Sequence, residues 1–366
     1  MANGLAPYLL NDLKTTASSS YPGSKVDLKG FLGMLVSGPG ANPVQTSTLA
    51  GNKKEVRFWY RQRNTAAQTK TSASCDNVLT PARLETTVSV ANTRQIAFHL
   101  TDELVAQYTE EAAQRAANPG IPFSGGATNE IMDIIYSGCN AILTGINKDL
   151  MGLMTWGKNR VTGVNTSTTV NIAQTIGMNL GAGIPKLMGD YKLNMLNGTP
   201  NVVGAGLFYN YMLTQPFKST DSSGYNTQIA TGMMNFFPDQ DFNDTVGSNQ
   251  IGIFEPGSIQ LVEYLEYTGF KAGVKPGDSE FGVLVLPATD TAGNIIPVKV
   301  DFQLRYLSCP TTLTDAYSGS SSTYQKGWSL IMKKQFGLFQ LPSDSYRQED
   351  GNYGVNGSLR YTITNS

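Results

Sequence analysis

TNEIMDIIYSGCNAILTGINKDLMGLMTW, residues 128–156, places apolar side chains at Ile131, Ile135, Cys139, Ile142, Ile146, Leu150 and Leu153. Steps of three and four line one face of a helix, so the stretch predicts an amphipathic helix with a core-facing stripe. Thr128 or Asn129 is placed to accept from the first free amides, and Glu130 and Asp133 put negative charge at the positive end of the helix dipole. About 26 helical residues make a rod of roughly 40 Å, against a mean globular helix of about 11 to 12 residues. The opposite face carries Gly138, Asn140, Thr144, Gly145 and Gly152 rather than Lys and Glu, which predicts that other chain or other subunits cover part of it. Asn140, Asn147, Lys148 and Asp149 interrupt any run long enough to span a bilayer, so no membrane role is expected.

Composition narrows the function. Of 366 residues, 15% are charged and 40% apolar, and the formal net charge is -1. A near-neutral chain lacks the basic excess of a dedicated nucleic-acid binder, and low surface charge suits a protein whose surface is largely consumed by neighbours. Cys75, Cys139 and Cys309 are odd in number and far apart, which reads as reduced thiols. Without a charged-then-apolar leader at residue 1, folding in a cytoplasm is expected.

Outward from the helix, residues 1–50 hold short apolar pieces divided by SSSYPGS and SGPGANP, too little for a core of their own; they read as an arm docked on something else. EVRFWYRQR (residues 55–63) alternates, with Val56, Phe58 and Tyr60 on one face and Arg57, Trp59, Arg61 and Arg63 on the other, and LETTVSVANTRQIAFHL (residues 84–100) returns as its partner. A long hairpin follows, with its tip resting on another subunit. TDELVAQYTEEAAQRAAN is a helix stopped by Pro119. Beyond the long helix, GIPKLMGDYKLNMLNG reads as a helix closed at Asn197-Gly198, NVVGAGLFYNYML as a buried strand, and PGSIQLVEYLEYTGF as another helix. The chain then turns to long strands.

Catalytic chemistry finds little footing. His99 is the only histidine, which excludes multi-histidine metal sites and leaves it a strand-packing residue. Asp239, Asp241, Asn243 and Asp244 begin like a calcium loop, but Asp244 stands where that loop needs Gly and Gln250 where it needs Glu; the cluster reads as a solvated turn, with a looser ion site as the alternative. No catalytic residue, cofactor or metal site is assigned. The arginines 57, 61 and 63 around Trp59 read as inter-subunit contacts whose partners are carboxylates, with Glu103, Glu110 and Glu111 as candidates on the exposed helix beside the spine.

In order, an arm, a long two-stranded loop, a capped long helix, a mixed α/β lobe and a late return to strands resemble the major capsid proteins of tailed bacteriophages, whose Hong Kong ninety-seven type fold is shared with encapsulins. KLNMLNGTPNVVGAG followed by EPGSIQLVEYLEYTGF is similar to such sequences. The resemblance implies an α+β fold divided into an N-terminal arm (1–50), an extended-loop hairpin (51–100), a peripheral domain (101–171) with the spine helix at 129–156, a mixed α/β axial domain (172–295) and C-terminal strands (296–366). It also implies hexamers and pentamers of an icosahedral shell, assembled in the host cytoplasm around double-stranded DNA without strong specific binding. A separate scaffolding protein, a portal and decoration proteins would be partners. Lys70, near the loop tip, would be the residue to examine for crosslinking. Another virion structural protein, or a secreted carbohydrate-binding protein, is the alternative.

Overall fold

A computed structural model describes residue 9 and residues 26–28, 30–46, 54–61, 63–64, 83–118, 125–164, 166–172, 183–214, 234–267, 279–290, 293–307, 311–314, 321–324, 327–342, 346–347 and 355–364. The protein is α+β. Its six described helices of five or more residues are α1 (Gly30–Ser37), α2 (Asp102–Ala117), α3 (Gly126–Leu153), α4 (Ile184–Leu193), α5 (Leu207–Thr214) and α6 (Asp241–Thr245). The spine is α3, 28 residues long, and Ile131, Ile135, Cys139, Ile142, Ile146 and Leu150 are buried along it as the spacing predicts. Leu153 is exposed, so the stripe closes at Leu150 and Met151. Part of the glycine-bearing face is covered by the chain itself: a Cβ on Gly138 would stand 2.6 Å from the Phe98 ring, whereas Thr144 and Gly152 are exposed.

A seven-stranded sheet lies on the spine, in the order β1 (Val26–Asp27), β12 (Glu280–Thr289), β13 (Ile295–Leu307), β16 (Gly327–Gln340), β11 (Ile259–Tyr264), β2 (Val44–Thr46), with β6 (Asn92–Leu100) also on β16. The long β16 organises it. One edge of β16 is shared end to end, by β13 along residues 327–333 and by β11 along residues 335–340, while β6 runs along the other edge. Lys334 falls at the joint, paired in register with neither strand. Its ammonium lies 2.6 Å from Glu263 and donates to the Lys299 carbonyl at 2.9 Å, with both side chains almost fully buried. Asp301 serves the same joint by accepting from the amides of Glu266 and Tyr267, where the chain leaves β11.

A five-stranded sheet, β7 (Thr168–Asn171), β18 (Ser358–Thr364), β10 (Gln250–Phe254), β8 (Asn201–Gly204), β9 (Asn235–Pro238), forms a second core with α4 and α5. Trp156, just past the spine, packs on the spine's own core, 5.8 Å from Phe254 and 6.3 Å from Phe242 by ring centroid, with the Arg360 guanidinium of β18 over its face. The hairpin is β3 (Glu55–Arg61) on β5 (Arg83–Ser89). Two small pairs complete the strands, β4 (Arg63–Asn64) with β17 (Tyr346–Arg347) and β14 (Thr311–Thr314) with β15 (Ser321–Tyr324).

Several expectations are corrected. The run read as a helix after Pro256 is β11, because Ile259, Leu261, Val262 and Glu263 are buried on both faces between β16 and β2, where no helix fits; Pro256 and Gly257 make a turn ahead of it. NVVGAGLFYNYML is a four-residue strand followed by α5. The helix α4 stops at Leu193, with Met195 in the left-handed region at φ 58, ahead of the expected Asn197-Gly198 closure. The strand at 84–100 breaks at Val90-Ala91: its first half pairs with β3, its second with β16. Residues 26–46 dock on their own chain. They supply both β1 and β2, at opposite ends of the seven-stranded sheet, with α1 between them buried against the spine. The sheets also do not follow consecutive residues, since β11 and β12 lie within 172–295 yet belong to the sheet on the spine.

Candidate assembly surfaces

Among the described residues, the hairpin is anchored on one face only. Val56 and Phe58 pack with Val88, Val90, Val262 and Phe339, and the Phe58 and Phe339 rings stack at 4.3 Å. On the other face, Arg57 is exposed and reaches Glu85 across the strand pair at 3.4 Å; Trp59 is 52% exposed under the Arg83 guanidinium at 4.1 Å. Arg61 ends β3, opposite Arg83 in register. Arg63 does not continue that strand. It begins β4, which pairs in parallel with β17, so the three arginines do not share one strand as the alternation suggested. The hairpin tip and Lys70 lie outside the described residues.

The acidic helix α2 is capped by Thr101, whose hydroxyl accepts from the Leu104 amide. Glu103 and Glu110 are exposed. Glu111 turns inward: it accepts from the Ala127 amide at 3.2 Å, and from the Thr128 amide at 2.8 Å and hydroxyl at 2.6 Å. It is therefore the N-terminal cap of the spine, in place of the Thr128 or Asn129 self-cap. Arg115 donates to the same Thr128 hydroxyl at 2.7 Å. Burial pushes the Glu111 carboxyl up, but the hydrogen bonds from Thr128 and Ala127 and the Arg115 charge outweigh it, holding the group below its ordinary value. Gly125 is needed here, because a Cβ would stand 1.9 Å from the Glu111 carboxyl carbon. With its carboxylate committed to these amides, Glu111 drops out of the set facing solvent.

The Asp239 cluster is a docking device. Asp239 is buried, and its Oδ2 accepts from the Phe31 amide at 2.8 Å and from Asn147 Nδ2 at 2.9 Å, while Asn147 Oδ1 accepts from the Leu32 amide at 2.8 Å. These bonds fasten the first turn of α1 to the spine. Gly30, at φ 62, lets the chain pass within reach: a Cβ there would stand 2.1 Å from Asp239 Oδ2. Burial raises the Asp239 carboxyl, partly offset by those hydrogen bonds. Of the cluster read as a solvated turn, Asp239 is thus a buried acceptor, whereas Asp244 is exposed and Asp241 and Asn243 are partly so; only the run of apolar residues after Gly30 hints that an amide cluster needs an acceptor. Lys334 and Glu263 were also missed; the sole sign was a lysine pair inside the apolar strand GWSLIMKKQFGLFQ.

Among the described residues, no three His, Cys, Asp or Glu side chains gather as metal ligands, and no helix is long and apolar enough to cross a membrane. His99 sits within β6 opposite Ser329. The Cys139 thiol is pushed up to about 12, chiefly by burial and against the pull of the Lys334 charge, which makes it a packing residue of the spine. Cys75 and Cys309 lie outside the described residues.

No protein-family model matches this chain, and no curated protein matches it in sequence. Solved structures do. A chain from Mycobacterium phage Adephagia superposes with a TM-score of 0.51 at 9% identity, covering 97% of both chains. A chain of the Cyanophage A-1(L) capsid asymmetric unit covers 95% of this chain and 96% of its own at 9% identity, with a TM-score of 0.47. One from the capsid of the cyanophage P-SCSP1u covers 88% and 87% at 9% identity, with a TM-score of 0.40. The first likeness shows a shared fold along almost the entire chain.

Proposed function

We propose that this chain is a shell subunit of the tailed-phage major capsid type, building hexamers and pentamers of an icosahedral head that encloses double-stranded DNA. The observation that carries the reading is the fold shared with a phage protein over 97% of both chains, in a molecule whose hairpin is packed on one face alone. The role is structural rather than enzymatic. In this reading the spine, α2 and the seven-stranded sheet make the peripheral body and the five-stranded sheet the axial lobe. The hairpin lies across a neighbour, where Arg57, Trp59, Arg61 and Arg63 meet Glu103 and Glu110. A net charge of -1 fits DNA held by confinement, not by strong sites. Scaffolding, portal and decoration proteins complete the head, assembled in the host cytoplasm and ending in the virion. Expression with the cognate scaffolding protein, followed by negative-stain microscopy, tests this: closed particles of megadalton mass are expected, and a small monodisperse species under every assembly condition overturns it.

A further inference from the structure

Asn-Gly occurs at two described places, 197–198 and 356–357, and the fold treats them in opposite ways. The pairing invites attack of the chain on itself: a glycine nitrogen, with no Cβ beside it to restrict its approach, can reach the carboxamide carbon of the asparagine before it. Reaction needs the carboxamide free to turn until the two atoms stand about 3–3.5 Å apart. Asn356 cannot turn. It is buried, its Nδ2 donates to the Thr155 carbonyl at 2.9 Å, and its Oδ1 accepts from the Ser358 amide at 3.2 Å and hydroxyl at 2.7 Å. Gly357 is equally confined, since a Cβ on it would stand 2.5 Å from Ser258 Cβ.

At Asn197 the backbone is held and the side chain is not. Its amide donates to Glu255 Oε1 at 2.9 Å, its carbonyl accepts from the Tyr191 hydroxyl, and the Gly198 carbonyl accepts from Lys192 Nζ at 3.4 Å. Both residues are exposed, and among the described residues neither the Asn197 carboxamide nor the Gly198 amide has a hydrogen-bond partner. Gly198 stands at φ 75 with open space beside it: a Cβ there would meet only the Pro256 ring, at 3.4 Å. The Tyr191 bond bears on the reaction itself. The Asn197 carbonyl and the Gly198 nitrogen form one peptide group, so a donor on the oxygen stabilises the anion left when that N–H loses its proton. We propose that Asn197 is a site of self-modification by deamidation. The deprotonated Gly198 nitrogen bonds to Asn197 Cγ, the Cγ–Nδ2 bond breaks, and the departing nitrogen takes up the proton and leaves as ammonia. Water then opens the five-membered imide at either carbonyl, giving aspartate or isoaspartate. Either product puts a new carboxylate one residue from the Glu255 contact. Isoaspartate also adds a methylene to the main chain between two held points, the Asn197 amide and the Gly198 carbonyl, so the tie between the end of α4 and the turn before β11 loosens.

The test is a time course on the full chain, kept warm in mildly alkaline buffer, digested in acid and mapped by mass spectrometry, with isoaspartate counted by enzymatic methyl esterification. In the folded protein the acid form at position 197 should accumulate about tenfold faster or more than at 356, because three hydrogen bonds must break before the Asn356 carboxamide can turn. In urea the two rates should converge, since glycine follows both. Equal rates in the fold overturn the proposal, and so does an Asn197 that stays intact while the unfolded chain reacts. Asn197→Gln, an exposed change, should melt like wild type and lose the isoaspartate signal of the folded protein; a signal that persists belongs to another residue and overturns the assignment. Tyr191→Phe keeps the buried ring and should slow the folded rate several-fold with the urea rate unchanged. An unchanged folded rate overturns the part given to that hydroxyl.

Discussion

Residues 26–46 and the hairpin of residues 55–89 look alike in sequence: extended, interrupted by Gly, Ser and Thr, and without a core of their own. They end up as opposites. Val26, Leu28, Phe31, Leu32, Met34 and Leu35 are all buried, and α1 is fastened at its first turn by Asp239 and Asn147. In the hairpin, Val88 and Val90 are buried, Val56 and Phe58 half-covered, and the Arg57 and Trp59 face is exposed. The first segment is an integral strap that supplies both short edge strands of the main sheet, and the second a strand pair whose described residues are covered on one face. The difference lies in apolar density: VDLKGFLGMLV offers several large side chains on every side of a short helix, whereas EVRFWYR offers them on alternate positions only.

The largest effect should come from breaking the strap. Phe31, fully buried and 5.5 Å from Phe254 by ring centroid, should cost about 3–5 kcal/mol on Phe31→Ala by urea denaturation. Deleting residues 26–46 should leave no soluble folded protein, because both edges of the sheet and the cover over the spine are lost together. A truncated chain that keeps its cooperative transition would show that the strap is an appendage after all.

Beneath the strap lies the second test. Lys334 and Glu263 border a hollow of about 100 Å³ under Leu32 and Val36. Lys334→Met leaves a carboxylate buried without its cation and should destabilise by about 3–5 kcal/mol, whereas adding Glu263→Leu should recover most of the loss. A double variant as unstable as the single one would mean that packing, not charge, is what Lys334 supplies.

These residues also mark what the sequence could tell. The spine was legible because a period of 3.6 persists across seven apolar positions, and α2 because Thr101 and its acidic first turn announce a start. The strand β11 was not, since a strand buried on both faces has no alternation, and IQLVEYLEY carries spacing that also suits a helix. The contacts that fasten one element to another were invisible for a different reason. Glu111 on the spine amides, Asp239 on α1 and Lys334 on Glu263 join residues far apart in the chain, and no local pattern encodes the partner. Of the arginine-and-carboxylate set, alternation correctly gave the exposure of Arg57 and Trp59. It could not foresee that Arg57 already pairs with Glu85, or that Arg63 starts another strand.

A smaller effect is expected at the Glu111 cap, where pH is the probe. Its carboxyl is held below its ordinary value in the fold, so the stability it adds is present above the ordinary carboxylate range and lost as pH falls through the lowered folded value. Glu111→Gln should therefore cost about 1 kcal/mol near neutrality and nothing in acid, where wild type and variant converge. Parallel stability curves down to acid pH would show that the cap carries no charge-dependent share. Because neighbouring Arg115 bonds the same Thr128 hydroxyl, Arg115→Ala should shrink the difference without abolishing it.

The smallest effect on the subunit should come from the hairpin, and the contrast with the strap is sharpest there. Arg57 and Glu85 form an exposed pair, worth about 0–1 kcal/mol, so Arg57→Ala should leave unfolding of isolated subunits unchanged within about 0.5 kcal/mol. If the hairpin crosses a neighbour, the same face is desolvated only on assembly, where losing one member of an interfacial pair costs about 2–5 kcal/mol and recurs at every contact around the ring. Arg61→Glu with Arg63→Glu should then give subunits with wild-type circular dichroism and melting that fail to close into particles, and Glu110→Lys should restore part of the yield. Glu111→Lys should not, because that carboxylate faces the spine amides and its replacement removes a cap. Wild-type particle counts from the double variant, or a double variant that does not fold, would show that these arginines do not act between subunits.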